Sequence, residues 1–310
     1  MAIVTAMCKL LFCMAIGFFC YKKEYLTLSA NSSISKLITM FFNPCLILYS
    51  ISTVDTGNDR LVLSVLLASF ACYAAFIVIG WLFTKLFRIR VGLQGVYMCC
   101  IIFANCGFMG MPVAQSLYGD SAIFYVAVFI IPFNLIFYTL GLSLIEKDSS
   151  ANTGNITKVH FDAKKLINPG SVASLAALLI YFGRLHIPSL FFTCVGFVGN
   201  VTMPLSMISI GASLAAASFK DVKGERSLLP MLLFRLAVIP AFTWCFLHLF
   251  IKDPIVLNIC AITSGMPVGA LVAMGSSQWP EQYRVSSMCV AISTLVSIFT
   301  VPVMTLLMGA

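Results

Sequence analysis

The sequence predicts an all-α polytopic membrane protein: ten transmembrane helices in two inverted five-helix repeats, with helices four and nine broken. Three observations carry that prediction. Of the 310 residues, 60% are hydrophobic and 10% charged, and the mean hydropathy is +1.01, well outside the range of soluble domains. Apolar runs of about 20 residues, the length a bilayer core demands, follow one another along the whole chain. One long polar stretch, "EKDSSANTGNITKVHFDAKK" at 146–165, leaves five such runs before it and five after. Because five is odd, a duplicated half would enter the membrane in the opposite orientation.

The first run, 1–21, reads as a retained span rather than a cleaved leader. Its start lacks positive charge, Lys9 interrupts it, and no small-x-small site precedes "YKKEY". The second, 33–52, carries Pro44 in "FFNPCLILYS", and the third, 61–84, contains no charged residue through "LVLSVLLASFACYAAFIVIGWLF". The fourth, 92–118, is interrupted by "ANCGFMGMP" at 104–112, and the fifth, 121–145, closes the first repeat, 1–145. After the short loop 146–166, the second repeat, 167–310, opens with runs at 167–183 and 190–217, the latter carrying Pro204 in "VTMPLSMISIGASL". Runs at 227–250, 255–278 (with "SGMP" at 264–267) and 284–308 complete it.

The prolines support the duplication. Pro44 and Pro112 lie 68 positions apart in runs two and four, and Pro204 and Pro267 lie 63 apart in runs seven and nine. The bland reading is four unrelated packing kinks.

The formal net charge of +8 is a topology signal rather than a nucleic-acid footprint. The odd-numbered connections hold Lys22, Lys23, Lys36, Lys85, Arg88, Arg90, Lys147, Lys158, Lys164, Lys165, Lys220, Lys223, Arg226 and Arg284, and the even-numbered ones only Arg60, Arg184 and Lys252. By the positive-inside rule the odd connections are cytoplasmic and both termini lie outside a cell (inner) membrane. The twelve cysteines sit in apolar runs with no CxxC pair and no His cluster, which fits small hydrophobes better than metal ligands.

Glycine and proline let a helix leave regular geometry, and irregular backbone at membrane depth persists only where protein or a wet cavity satisfies it. Asn105, Cys106, Gly107, Gly110 and Pro112 are therefore expected to unwind span four, and "SGMP", with Ser264, Gly265 and Pro267, to break span nine just after Thr263. Pro112 and Pro267 each suit the first position of a new half-helix. Two helix N-termini would then converge from opposite sides, a site for an anion without a formal cation. Asn105 would add an amide donor, and Thr263 and Ser264 hydroxyls. The alternative is a pair of hinges that allow close helix packing.

These stretches carry a resemblance. "ANCGFMGMPVAQSLYG", "MPLSMISIGASLA" and "SGMPVGALVAMGSSQWPEQYRVSSMCVAISTLVSIFTVP" resemble helices four, seven, and nine with ten of the auxin efflux carrier family, which includes the plant PIN-formed transporters and many bacterial permeases. The resemblance implies a scaffold and dimer surface from helices 1, 2, 6 and 7, and a transport domain from helices 3–5 and 8–10 around the crossing. It implies a homodimer in the lipid bilayer that moves organic anions, auxin in plants and carboxylates such as malate or malonate in bacteria. Asn105, Pro112 and Pro267 fall on the family's motif positions, and the short loop at 146–165 is similar to that of bacterial-type members.

The sequence-level expectation is thus a secondary transporter of small organic anions, mono- or dicarboxylates, working by alternating access. Lys9 and Arg235, each within an apolar run, could steer or neutralise the anion, or snorkel to an interface. The eleven Asp and Glu all fall in or beside loops, which disfavours proton coupling. No cofactor is implied; a sodium ion could couple through unwound carbonyls and hydroxyls, or the membrane potential alone could drive efflux. A non-carboxylate carrier, a channel or a sensor on the same fold remain alternatives. An enzyme does not fit: there is no H-E-x-x-H, no pair of membrane carboxylates and no deep Ser–His pair.

Overall fold

The computed structural model describes residues 2–55, 57–153, 168–216 and 225–308. Every named element among them is helical. Six segments are long and apolar enough to cross a membrane: Leu28–Thr53, Asp59–Leu86, Ser121–Ser150, Ser189–Ala216, Leu228–Leu247 and Pro280–Leu307. The second half of the polar stretch at 146–165, with Lys158, Lys164 and Lys165, and the basic Lys220 and Lys223 lie outside the described residues.

The chain begins with α1 (Ala2–Lys22), followed by α2 (Leu28–Leu37), a π turn at Ile38–Phe42 and α3 (Asn43–Ser50). Next come α4 (Asp59–Leu86), α5 (Gln94–Ile102), a π turn at Cys106–Gly110 and α6 (Met111–Tyr118). Helices α7 (Ser121–Phe129) and α8 (Ile131–Ile136), a π turn at Phe137–Gly141 and α9 (Leu142–Thr153) form one long segment. The second half contains α10 (Pro169–Gly183), α11 (Ser189–Gly199), α12 (Thr202–Ala216), α13 (Leu228–Leu233), a π turn at Phe234–Val238 and α14 (Ile239–Leu247). It closes with α15 (Pro254–Ser264), α16 (Ala270–Gly275) and α17 (Pro280–Leu307).

Three of the π turns have one cause. Pro44, Pro112 and Pro240 each follow the end of a π turn by two residues. Proline removes an N–H and its ring presses on the carbonyl one turn back, so the preceding turn widens. The i→i−5 bonds of Asn43 to Ile38, Met111 to Cys106 and Ile239 to Phe234 close those wide turns.

The interior is built around three short helices, α5, α7 and α15. Every residue of α5 from Gly95 to Ile102, of α7 from Ala122 to Phe129, and of α15 from Val256 to Ser264 is buried. The periphery is apolar instead: Phe197 is 83% exposed and Phe299 74%. That inversion of the soluble pattern is what a lipid solvent requires. Helices α1 and α12 cross at backbone contact, since a Cβ on Gly17 would fall 1.9 Å from the Ile208 carbonyl oxygen and one on Gly211 1.9 Å from that of Met14. Such reciprocal small-residue contacts let helices associate where no hydrophobic effect drives them.

Polar contacts gather the connections into two groups. Arg90 pairs with Glu281, and the Gln282 amide donates to the Gly92 carbonyl at 3.2 Å, joining the chain before α5 to the start of α17. Arg184 pairs with Asp59 at 3.4 Å and the Tyr181 hydroxyl donates to the Asp55 carbonyl at 3.3 Å, joining the end of α10 to the start of α4. Both ion pairs are exposed and worth little in stability; their value is in marking which ends lie together.

Candidate functional site

Helix α5 stops at Ile102 and α15 stops at Ser264, and the segments that follow run past each other. They pair as a single antiparallel bridge, Ala104 opposite Val268. The Asn105 N–H donates to the Pro267 carbonyl at 2.8 Å and the Gly269 N–H to the Phe103 carbonyl at 2.9 Å. The Val268 N–H donates to the Ser293 hydroxyl of α17 at 3.0 Å. Two broken helices thus satisfy each other's backbone inside the protein, as buried backbone demands. Gly269 is needed for the approach: a Cβ there would sit 2.9 Å from the Ala104 oxygen.

The breaks differ from the sequence expectation in extent and position. In span four only Phe103, Ala104 and Asn105 leave helical geometry, while Cys106, Gly107 and Gly110 lie in the π turn. Pro112 is the second residue of α6, its missing N–H absorbed by that wide turn, so the new half-helix begins six residues before it. Pro267 lies in the extended crossing, where only its carbonyl takes part, and α16 begins at Ala270. Gly265 ends α15 with its N–H bonded to Ala261 and Ile262.

The start of the helix at Cys106 is the polar focus. The Asn105 carbonyl accepts from Met109 and Gly110 at 3.1 and 3.0 Å, so the N–H groups of Cys106, Gly107 and Phe108 have no helical acceptor. Two amide side chains stand there. Asn105 is 6% exposed and its side chain makes no hydrogen bond to a described residue. Asn43, the first residue of α3, is 8% exposed with its Oδ1 buried and unpartnered, and its Nδ2 lies 3.2 Å from where a Gly107 Cβ would be.

Thr263 and Ser264 are buried, but their hydroxyls donate back along α15, to the Ile259 and Ala261 carbonyls at 2.7 Å each. They are not free donors toward a ligand. The Cys106 thiol reaches the Thr263 carbonyl at 3.8 Å, and Gly110 faces Met266 and the Thr263 methyl at ordinary contact distance.

Arg235 is fully buried in the π turn Phe234–Val238 and aims its guanidinium at the crossing. Its Nε donates to the Met266 carbonyl at 2.9 Å, Nη1 to the Ile101 carbonyl at 2.6 Å, and Nη2 to the Ser264 carbonyl. One rigid fork therefore caps the C-terminal ends of both broken helices, where the backbone leaves orphan carbonyls and partial negative charge. This replaces the expectation of snorkelling or of a charge open to the path. Lys9 does not join the crossing: it is exposed on α1, next to the buried Leu10.

Two residues carry structure that the sequence reading passed over. Ser293 in α17 caps the crossing strand, with nothing in the sequence to separate it from the other hydroxyls of that helix. Asp148 lies inside α9 rather than in a loop; it is 5% exposed and accepts the Val96 N–H at 2.9 Å, capping the start of α5 from another helix.

Residues 2–305 match the model of a family described as membrane transport protein. A helical bundle with apolar outer faces and a paired break at its centre is the architecture of a membrane transporter. The chain belongs to this family, the auxin efflux carriers and their relatives, and it is a transporter rather than an enzyme. A comparison with curated proteins finds no match.

Proposed function

We propose that the protein is a secondary carrier of small organic anions, binding a carboxylate at the start of the half-helix at Cys106. The observation that carries this reading is the set of three backbone N–H groups without helical acceptors beside the buried side chains of Asn105 and Asn43, the latter with its Nδ2 next to Gly107. Such a helix end holds partial positive charge and donors aimed at one point. In a dry interior, unmatched donors of this kind cost free energy until a ligand with acceptors satisfies them.

The reading includes ten crossings in two inverted repeats. In its support, α4 packs on α5 as α14 packs on α15, and α6 on α7 as α16 on α17. Helices α1, α12, α2, α3, α10 and α11 pack mainly on one another, which fits a scaffold. The remaining elements surround the crossing and would move against that scaffold to give alternating access. The two groups of joined connections fit a chain that turns alternately at each membrane face. With the basic connections inside, both termini face the outside of the cell membrane.

Thermal stability of the purified protein against a panel of mono- and dicarboxylates tests the site. An acid at 100 times its Kd stabilises the folded state by about 2.7 kcal/mol. At least one acid is expected to raise the Tm of wild type and to leave Asn105→Ala unchanged. Equal shifts in both proteins would remove the carboxylate from this position.

A further inference from the structure

Four helix ends meet at the crossing. Helices α5 and α15 arrive with their C-terminal ends, and the helical segments starting at Cys106 and Ala270 leave with their N-terminal ends. An end of a long helix carries about half a unit charge, negative at the C-terminus and positive at the N-terminus. Summed over four ends, the crossing would be close to neutral and would favour an anion only weakly. Arg235 breaks that balance. Its guanidinium lies on the carbonyls of both C-terminal ends and has no carboxylate partner among the described residues.

The negative ends are thereby compensated, and the N-terminal ends remain. The excess is roughly half to one positive charge, and it lies at the Cys106 start because α16 has only six residues. The same place holds the side-chain amide of Asn43, more than nine-tenths buried, with its Nδ2 donor end beside Gly107. A carboxylate bound there would be matched one to one. A second carboxylate would find no further cation among the described residues at the crossing and would be desolvated without compensation.

We propose that Arg235 sets the charge of the crossing and restricts the carried solute to one negative charge. It is a positioning residue that acts through α5 and α15 and does not touch the solute. This rests on the reading of the Cys106 start as the anion site.

The test uses the full chain in liposomes and matched sets of straight-chain monoacid, its amide and its α,ω-diacid, for example hexanoate, hexanamide and adipate, across chain lengths of two to eight carbons at pH 7.5. In wild type the best monoacid is expected to outcompete its amide and its diacid at least tenfold. Arg235→Lys, which keeps the charge, retains that ranking. In Arg235→Gln the advantage of acid over amide falls tenfold or more. Preference of wild type for a diacid overturns the proposal, and that comparison stands even where Arg235→Gln does not fold. If the monoacid is carried and its transport depends on Asn43 and Asn105, yet Arg235→Gln keeps the ratio, the charge assignment alone fails. If no monoacid is carried, or Asn43→Ala and Asn105→Ala leave transport unchanged, the site reading fails and this proposal with it.

Discussion

Substituting Gly269 by alanine separates the crossing from an ordinary glycine hinge. The added Cβ would lie 2.9 Å from the Ala104 oxygen, 3.2 Å from its carbonyl carbon and 3.3 Å from the Phe103 oxygen. All three are backbone atoms of the opposing strand, so no side chain can yield; the strands must separate. Separation breaks the Gly269-to-Phe103 and Asn105-to-Pro267 bonds, now 2.9 and 2.8 Å. Each contributes roughly 1 kcal/mol net, and a buried group left unpaired costs about 1–3 kcal/mol more. A loss of about 3 kcal/mol is expected, two orders of magnitude in the folded population. Gly110→Ala is the internal control, because its Cβ would meet Met266 and Thr263 side-chain carbons at 3.5 Å, ordinary contact. Alanine also favours the helix there by about 1 kcal/mol over glycine. Detergent-solubilised thermal unfolding, followed by flux in liposomes, reads both variants. Gly269→Ala as stable as wild type, or Gly110→Ala the more damaged of the two, would refute the reasoning.

Asn43→Ala and Asn105→Ala are expected to leave unliganded stability within about 1 kcal/mol, because neither removes a side-chain hydrogen bond to another described residue. Both should reduce anion-dependent stabilisation at least tenfold in apparent Kd, read by titrating the stabilising acid. Asp148→Ala removes the acceptor for the Val96 N–H and should cost about 1–2 kcal/mol, whereas Asp148→Asn, which keeps an oxygen there, should cost less than half of that. Arg235→Lys keeps charge but loses the fork that reaches three carbonyls, and a Tm below wild type corresponding to about 2 kcal/mol is expected in thermal unfolding. Gly107→Ala would place a methyl 3.2 Å from the Asn43 amide nitrogen; folding should survive because that side chain can rotate, and transport affinity should fall.

The sequence alone determined the solvent of this protein and the order of its helices. A bilayer core tolerates only long apolar runs, and the six segments long and apolar enough to cross a membrane differ by a few residues from runs two, three, five, seven, eight and ten. It also determined where the helices break, since "ANCGFMGMP" and "SGMP" place glycine and proline where leucine would otherwise stand. It did not determine what the breaks do. From sequence, Pro112 and Pro267 looked like starts of half-helices, because proline suits a first turn. Only the folded chain shows each broken strand using the other as its partner, which moves the start of one half-helix back to Cys106 and leaves Pro267 extended. The same holds for the polar side chains. Thr263 and Ser264 were expected as free hydroxyls at the site and Arg235 as a charge on the path or at an interface, yet the two hydroxyls turn back on their own helix and the guanidinium clamps two helix ends. The hydroxyls find acceptors three and four positions away, whereas the partners of Arg235 lie 29 to 134 positions away in the chain. No local pattern encodes such distances; packing decides them.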